Sequence, residues 1–586
     1  MQLHGLTLGR LRPERQASEP SGRHYTRDVL DSARAHTASL ARVALSSARR
    51  PRRALAALAP ARDARGMGSR YPFLAEPLAP RRPGRLALAV SLTDWPYQLK
   101  VEGMLLKALE LEGYEPALVT ARAAANPRRY APRFGIERLI VLEDYLEPVS
   151  DVELDQLNRF LEQEPTVQAL KNLEIRGAHI GRQALSSISR VLREGSIDLA
   201  SPQARALLAE MLPRSLAVLA AAERILADHR PGLVLFNEAR YAGHGSFFDA
   251  ALGQGLNVIQ FVSAFSDDAL VFKRYTEETR RVHPRSLSNE AWVEVRDGPW
   301  TEVMGRELDA QFEARYAGTD MLSRRLHGWT RRRDPAELVR ELRLDPSRKT
   351  AVVFSHVLWD ANLFYGDDLF EDQGKWLVET VREAARTPTV NWVVKLHPSN
   401  VWKRRREGVS DELDELRLIR AAVGELPGHV RLLLPESDIS PLSVLELADY
   451  ALTIRGTIGV EAPCFGIPTL TAGTSHYSGR GFTIDSATAD EYRERLSRIA
   501  ETPPLTPAET ELARRHAHAL FCRRPLHFTS FRSEILPMER SGEPFDHDLI
   551  PVAASALELS RAYDLREFAA WATDAGRADY LAPPRP

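Results

Sequence analysis

A chain of 586 residues is too long for one hydrophobic core, and 78 Lys+Arg against 79 Asp+Glu leave a formal net charge of -1, which excludes a global electrostatic pull toward nucleic acid. A hydrophobic content of 44% excludes wholesale disorder, and two cysteines, Cys464 and Cys522, can build neither a disulfide framework nor a four-cysteine zinc site. There is no apolar run of about 18 residues and no secretory leader in MQLHGLTLGRLRPER, so a cytoplasmic protein without a membrane span is expected.

Residues 1–84 are rich in Arg, Ala and Pro and contain no Lys. They read as a solvated basic tail, disordered or partly helical. The alternative is an arm that touches the anionic inner membrane leaflet peripherally. From Arg85 the pattern changes. RLALAVSL is an apolar run after Pro83-Gly84 and predicts a buried strand, EGMLLKALELEGY predicts a helix, and PALVTA and ERLIVLEDY predict two further strands. Strand, helix and strand at this spacing imply a parallel sheet. Residues 150–230 read as helices, GLVLFNEARY as a strand with its exit loop, SFFDAALGQGL as a helix and NVIQFV as a strand. Residues 265–345 read as helices connecting two domains. A second alternation then runs through KTAVVFSHV, VNWVVKLHP, VRLLLP, YALTI and PTLTAG.

The expected fold is therefore α/β, with two Rossmann-like domains facing each other across a cleft. The expected boundaries are 1–84 for the tail, 85–340 for the first domain, 341–535 for the second and 536–586 for a helical C-terminal segment.

In open α/β sheets ligands bind beyond the carboxyl ends of the strands. VVKLHPSN puts Lys395, His397 and Pro398 at such an end, where a cation and an imidazole on one strand face can meet a phosphate. TIRGTIGVEAPCFGIPTL follows another strand. There Arg455, Gly456 and Thr457 form a small-residue loop suited to phosphate, and Glu461 stands one helical turn on, suited to ribose or sugar hydroxyls. In PESDISPLS, Ser437 and Ser440 either line a nucleotide site or cap the next helix. Asp360, in HVLWDANLFYGDD, is a candidate base, nucleophile or electrostatic partner, or else an Asx-type turn. In the first half, Glu238, Arg240, Tyr241 and His244 follow one strand and Asp94 another, on the side where an acceptor would enter. Glu238 and His244 are candidate bases there. The sequence contains no GxxxxGK[ST], HExxH or GxSxG, and GxGxxG does not follow the first strand. Kinase, zincin, hydrolase and dinucleotide-oxidoreductase readings lose ground, and no metal site or cofactor is expected.

VLWDANLFY, VVKLHPSN, PESDIS, TIRGTIGVEAPCFGIPTLTAG and RRHAHALFCRR, preceded by NEARYAGHGSFFDAALGQGLNVIQF, occur in this order over residues 230–535. Together they resemble the capsule polysaccharide biosynthesis proteins, a family of bacterial glycosyltransferases of the two-domain GT-B architecture. The resemblance implies a nucleotide sugar as co-substrate and a glycan or lipid-linked acceptor. The His397-Pro398 pair is similar to the His-Pro motif of sialyltransferases and Kdo transferases, which implies contact with the phosphate of a CMP-activated donor. Asp360 is similar in placement to the catalytic carboxylate of the Kdo-transferase type. The Gln-containing motif usual beside that carboxylate is not seen, and Arg455 stands where related proteins often have Lys. The resemblance leaves three alternatives: a nucleotide-sugar 2-epimerase, a polyol-phosphate transferase using a CDP-activated donor, and a non-catalytic member of a polysaccharide assembly complex.

Overall fold

The computed structural model describes residues 51–360, 363–407, 412–536 and 547–584. The chain divides into a leading unit, Met1–Ala54, and a main unit, Leu55–Pro586. The basic segment before residue 51, with its expected membrane contact, lies outside the described residues. Among the described residues no helix is long and apolar enough to cross a membrane.

Helix α1 (Pro51–Arg70) enters the main unit at Leu55. Its Ala64 and Met67, with Phe73 and Leu74 just beyond, are buried in the core of the first half. The expected tail boundary at residue 84 is thus too late. The turn PFLA is too short to show a period, yet it supplies two core side chains.

The first half is built from β1 (Leu86–Ser91), α2 (Pro96–Glu110), β2 (Glu115–Thr120), β3 (Arg138–Val141), α3 (Ile180–Leu192), α4 (Pro202–His229), β4 (Leu233–Phe236), α5 (His244–Gly253), β5 (Asn257–Ser263) and β6 (Ala269–Tyr275). Strand β1 is buried on both faces. Leu86, Leu88 and Val90 belong to one core cluster and Ala87 and Ala89 to the other, which is why its sequence is a continuous apolar run rather than an alternation. Ser201 caps the 28-residue α4, its side chain accepting from the Ala204 N–H.

Helix α6 (Glu302–Ala317) leads to the second half. That half comprises β7 (Thr350–Phe354), α7 (Gln373–Arg386), β8 (Asn391–Lys395), α8 (Ser399–Glu407), β9 (Val430–Leu433), α9 (Pro441–Leu447), β10 (Tyr450–Thr453), α10 (Ile458–Cys464), β11 (Thr469–Thr471), β12 (Ile484–Asp485) and α11 (Pro507–His518). The chain then returns to the first half through β13 (Pro525–His527), the hairpin β14 (Phe531–Ile535) and β15 (His547–Pro551), and α12 (Tyr563–Thr573). Phe568 of α12 packs on Phe272 of β6 with ring centroids 4.6 Å apart.

The strand order of the second sheet is β12-β11-β10-β7-β8-β9, and its adjacent strands pair in parallel. The first runs β13-β6-β5-β4-β1-β2-β3, parallel from β5 to β3. Each sheet starts in the middle, builds one way for three strands, then reverses. This is doubly wound Rossmann topology, and its switch points lie between β1 and β4 and between β7 and β10. The protein is thus α/β with two Rossmann-like halves, the arrangement of GT-B type.

Three details depart from expectation. The 265–345 segment is not wholly connecting helix, since β6 pairs antiparallel with β5. Strand β13, placed by sequence in the second domain, pairs antiparallel with β6 of the first sheet. The segment after residue 536 contributes β15 as well as helices. The return crossing is fixed by the buried Asp579, which pairs with Lys273 of β6 and with Arg524, each at 2.7 Å. Burial would raise the Asp579 pKa, but the two cations hold it below the usual carboxylate range.

Candidate functional site

The carboxyl edges of the two sheets are turned toward each other. The loop leaving β4 meets the loop leaving β7 where the Tyr241 hydroxyl donates to Asp360 Oδ1 at 3.0 Å. Arg182 of α3 donates to the Leu363 carbonyl at 3.2 Å.

The switch point of the second sheet gathers basic side chains from several elements. Lys395 is the last residue of β8 and is 8% exposed. Burial alone lowers its pKa to about 8, and among the described residues no carboxylate forms an ion pair with it. His397 follows two residues on, just before Pro398 and α8. Its Nδ1 accepts from the Ser399 N–H at 3.1 Å, and its ring stacks on His356 at 6.3 Å between centroids. His356 leaves β7 and lies 3.3 Å from the Thr453 hydroxyl at the end of β10. His327, which ends the helix Met321–His327, has a buried Nδ1 without a hydrogen-bond partner. All three imidazoles are held neutral. Burial comes first in each case, followed by neighbouring cations or imidazoles: Arg455 for His356 (pKa about 4), Arg315 and Lys395 for His327 (about 3), and His356, Lys395 and Lys403 for His397.

The loop leaving β10 is pinned from several sides. The Gly456 N–H donates to the Thr453 hydroxyl at 3.1 Å, and the Tyr477 hydroxyl donates to the Gly456 carbonyl at 3.0 Å. A Cβ at Gly459 would lie 2.0 Å from that tyrosine oxygen, so the first turn of α10 requires glycine there. Arg455 pairs with Asp368 of the β7 exit loop. The Thr457 hydroxyl accepts from Arg315 of α6 at 3.1 Å. Glu461 is buried, 3.0 Å from the Arg315 guanidinium, and accepts from the Tyr316 hydroxyl. The carboxylate expected to face ribose or sugar thus has its charge matched, in this structure, by side chains of α6. Burial would raise its pKa, but Arg315 lowers it below the usual range.

Asp360 sits where the halves meet. It pairs with Lys403 of α8, lies 3.8 Å from Arg190 of α3, and accepts from Tyr241. Burial would raise its pKa, but Lys403, Arg240 and Arg190 hold it below the usual carboxylate range. It is ionised at neutral pH.

The remaining sequence candidates have structural partners. Glu238 is not a free base. Its two oxygens are taken by the Arg240 guanidinium, at 2.8 and 2.6 Å, and by the backbone N–H groups of Ala239 and Arg240. His244 accepts from the Leu92 N–H at 3.4 Å and is kept neutral by burial. Asp94 accepts from the Asn126 N–H at 2.7 Å and so ties the β1 exit loop to the loop after β2. Ser440 caps α9, and the Ser437 hydroxyl accepts from the Ile439 N–H at 3.3 Å, so both serve as turn and cap residues.

Sequence reasoning missed His356, His327, Arg315, Lys403 and Arg190. His356 lies near the end of KTAVVFSHV, the run read as a strand, and the observed strand stops two residues before it, at Phe354, so the strand-end rule reaches it only once that end is known. The other four stand on helices, and no local signal marks which helical face meets the site. Two cavities lie away from this cluster: one of about 70 Å³ beside the end of β5, and one of about 120 Å³ lined in part by Trp300, Arg515 and His518.

No protein-family model matches the chain, and no curated protein matches it. Among solved structures, a UDP-GlcNAc 2-epimerase from Neisseria meningitidis bound to UDP-GlcNAc is 12% identical, with 74% of this chain and 96% of that chain covered, at a TM-score of 0.26. KpsC of Thermosulfurimonas dismutans, a beta Kdo 2,4 transferase, is 12% identical over 56% of this chain and 87% of that one, at 0.27. S. aureus MnaA, in a co-structure with UDP, is 13% identical over 74% and 91%, at 0.28. Each likeness is remote, and the reading of the site rests on its own residues.

Proposed function

We propose that this chain is a glycosyltransferase of surface-polysaccharide assembly. It transfers a sugar from a nucleotide donor, a CMP-activated sugar acid being the leading candidate, to a glycan or lipid-linked acceptor. The observation that carries the reading is Lys395: a buried ammonium without a carboxylate partner among the described residues, at the carboxyl end of β8, one strand from the switch point between β7 and β10. A cation taken out of water without a counter-charge is costly. A donor phosphate supplies that charge. His397 lies near it as a neutral imidazole stacked on that of His356, and the loop leaving β10 reaches His356, whose Nε2 accepts from the Arg455 N–H at 3.4 Å.

Chemistry follows from the meeting of the halves. As the bond to the donor phosphate breaks, negative charge grows on the phosphate and is stabilised by fixed cations. Asp360, held ionised between α8 and α3, is placed to accept the acceptor's hydroxyl proton or to stabilise positive charge on the sugar. Its oxygens now hold Lys403 and Tyr241, so substrate entry must exchange one of these bonds. Opening and closing of the two halves provides that exchange and excludes water from the activated sugar.

The test is a thermal-shift screen with CMP, CDP, UDP, GDP and ADP on the wild type and on His397→Ala. One nucleotide class is expected to raise the melting temperature of the wild type by several degrees, since ligand at about 100 times Kd adds about 2.7 kcal/mol. His397→Ala should lose most of that gain. Absence of any shift at millimolar nucleotide, or an equal shift in the variant, removes the donor site from the His-Pro loop.

A further inference from the structure

We propose that Arg285 forms a second anion site, in the first half of the molecule, which receives an acidic group carried by the acceptor. This rests on the transferase reading above and adds a substrate class to it.

Arg285 follows β6, and its Nη2 donates to the carbonyl of Ser263, the last residue of β5, at 2.8 Å. Its guanidinium lies over the Phe265 ring, 4.5 Å from the centroid. Its Nε is buried and has no hydrogen-bond partner. The strongest charges acting on it are of its own sign, from Arg240, Arg315 and Arg524, with the Tyr365 hydroxyl beside them. Each of those arginines has a carboxylate of its own, namely Glu238, Glu461 and Asp579. Among the described residues Arg285 has none. The nearby His283 and His476 are held neutral, by burial first. A guanidinium in such a setting presents its planar fork of donors to an anion from outside the chain.

The surroundings indicate what else that ligand carries. Ser263, whose carbonyl Arg285 holds, and Ser266 line the cavity of about 70 Å³ at the end of β5, whose wall is otherwise largely apolar, with Met104, Leu270 and Phe528 in it. The Ser266 hydroxyl is buried there without a hydrogen-bond partner. An unpartnered hydroxyl beside apolar side chains suits the face of a sugar ring. The site is distinct from the donor cluster but adjoins it, since Arg315 lies over the same Phe265 ring at 4.8 Å and also reaches Thr457. The shared chemistry is an acid group on a sugar-bearing acceptor. Its source is either a phosphate linking the glycan to a carrier or the carboxylate of a sugar acid.

The full chain is titrated in phosphate-free, low-salt buffer with pyrophosphate, with glucuronate and with glucose. Each titration is done alone and with saturating amounts of whichever nucleotide the wild type binds. One acid probe is expected to bind the wild type, to bind still when nucleotide is present, and to outcompete neutral glucose. Preference for pyrophosphate assigns a phosphorylated acceptor, and preference for glucuronate a sugar acid. Arg285→Gln should weaken that probe about tenfold to a hundredfold and leave nucleotide affinity unchanged. Arg285→Lys keeps the charge and loses the fork; it should weaken the probe less, and it decides the matter if Arg285→Gln does not fold. Equal probe affinity in wild type and Arg285 variants overturns the proposal. So does binding of neither acid, or loss of the acid probe once nucleotide is bound. If no nucleotide binds, the transferase reading falls, while wild type against Arg285→Gln without nucleotide still decides the anion site.

Discussion

Replacing Lys395 by methionine is expected to make the protein more stable and, in the same variant, to abolish its stabilisation by nucleotide. The ammonium of Lys395 is buried, and burial alone brings its pKa from 10.5 down to about 8. A displacement of that size corresponds to about 3 kcal/mol carried against folding at neutral pH. Methionine matches most of the volume, needs no counter-charge and leaves no cavity. The melting temperature should therefore rise by several degrees at pH 7. The pH dependence has a definite sign. Between about pH 8 and 10.5 the unfolded chain binds a proton at this lysine that the folded chain has released, so wild-type stability gains as pH rises through that window. The advantage of Lys395→Met is full below pH 8 and shrinks toward pH 10.5. Nucleotide binding follows the opposite course, because the phosphate needs the ammonium, so nucleotide-induced stabilisation of the wild type should decline above about pH 8. A melting series from pH 6.5 to 10 checks both. A Lys395→Met protein that melts below the wild type at pH 7 would mean that the ammonium is already compensated, and the anion-site argument would fail with it. A site kept at a cost to stability is what a ligand-binding role predicts.

The parallel strands of the two sheets were legible because fully buried strands leave continuous apolar runs between helical periods. KTAVVFSHV contains β7 and VNWVVKLHP contains β8, each within a few residues of its ends. Strand-end placement also led to Lys395, His397 and Gly456, since a residue's position along a strand fixes which edge of the sheet it leaves. What could not be read depends on contacts between distant parts of the chain. Strand β13 is three residues long and is recognisable only by its pairing with β6, far back in sequence. Phe73 and Leu74 sit in a turn too short to show a period, yet both are core. Glu238 illustrates the difficulty for sites. A carboxylate after a strand invites a catalytic reading, but two residues on stands Arg240, whose guanidinium folds back onto it. The sequence shows both residues and not the angle that joins them. His327 and Arg315 illustrate the converse, since helices with no strand-end signal deliver them to the switch point.

Glu461 separates a structural from a ligand-binding carboxylate in a single experiment. It is buried beside Arg315, with the Tyr316 hydroxyl donating to it, so α6 and α10 are joined by a charge pair out of reach of water. Removing one member strands the other. Glu461→Ala and Arg315→Met are each expected to destabilise the protein by about 3–5 kcal/mol, read from urea unfolding. The double variant Arg315→Met/Glu461→Leu removes both charges, so it should recover much of the loss, because a desolvated pair is worth little more than well-packed apolar groups. If the carboxylate instead serves a ribose or sugar hydroxyl, Glu461→Gln should lower nucleotide affinity well beyond its effect on unfolding. The double variant would then regain stability without regaining nucleotide. The geometry favours the first outcome for stability. It also gives the pair a part in function, because Arg315 that holds Glu461 also holds Thr457 and lies over Phe265. Loosening the pair should therefore weaken nucleotide and acid probe together, whereas His397→Ala removes only the first and Arg285→Gln only the second.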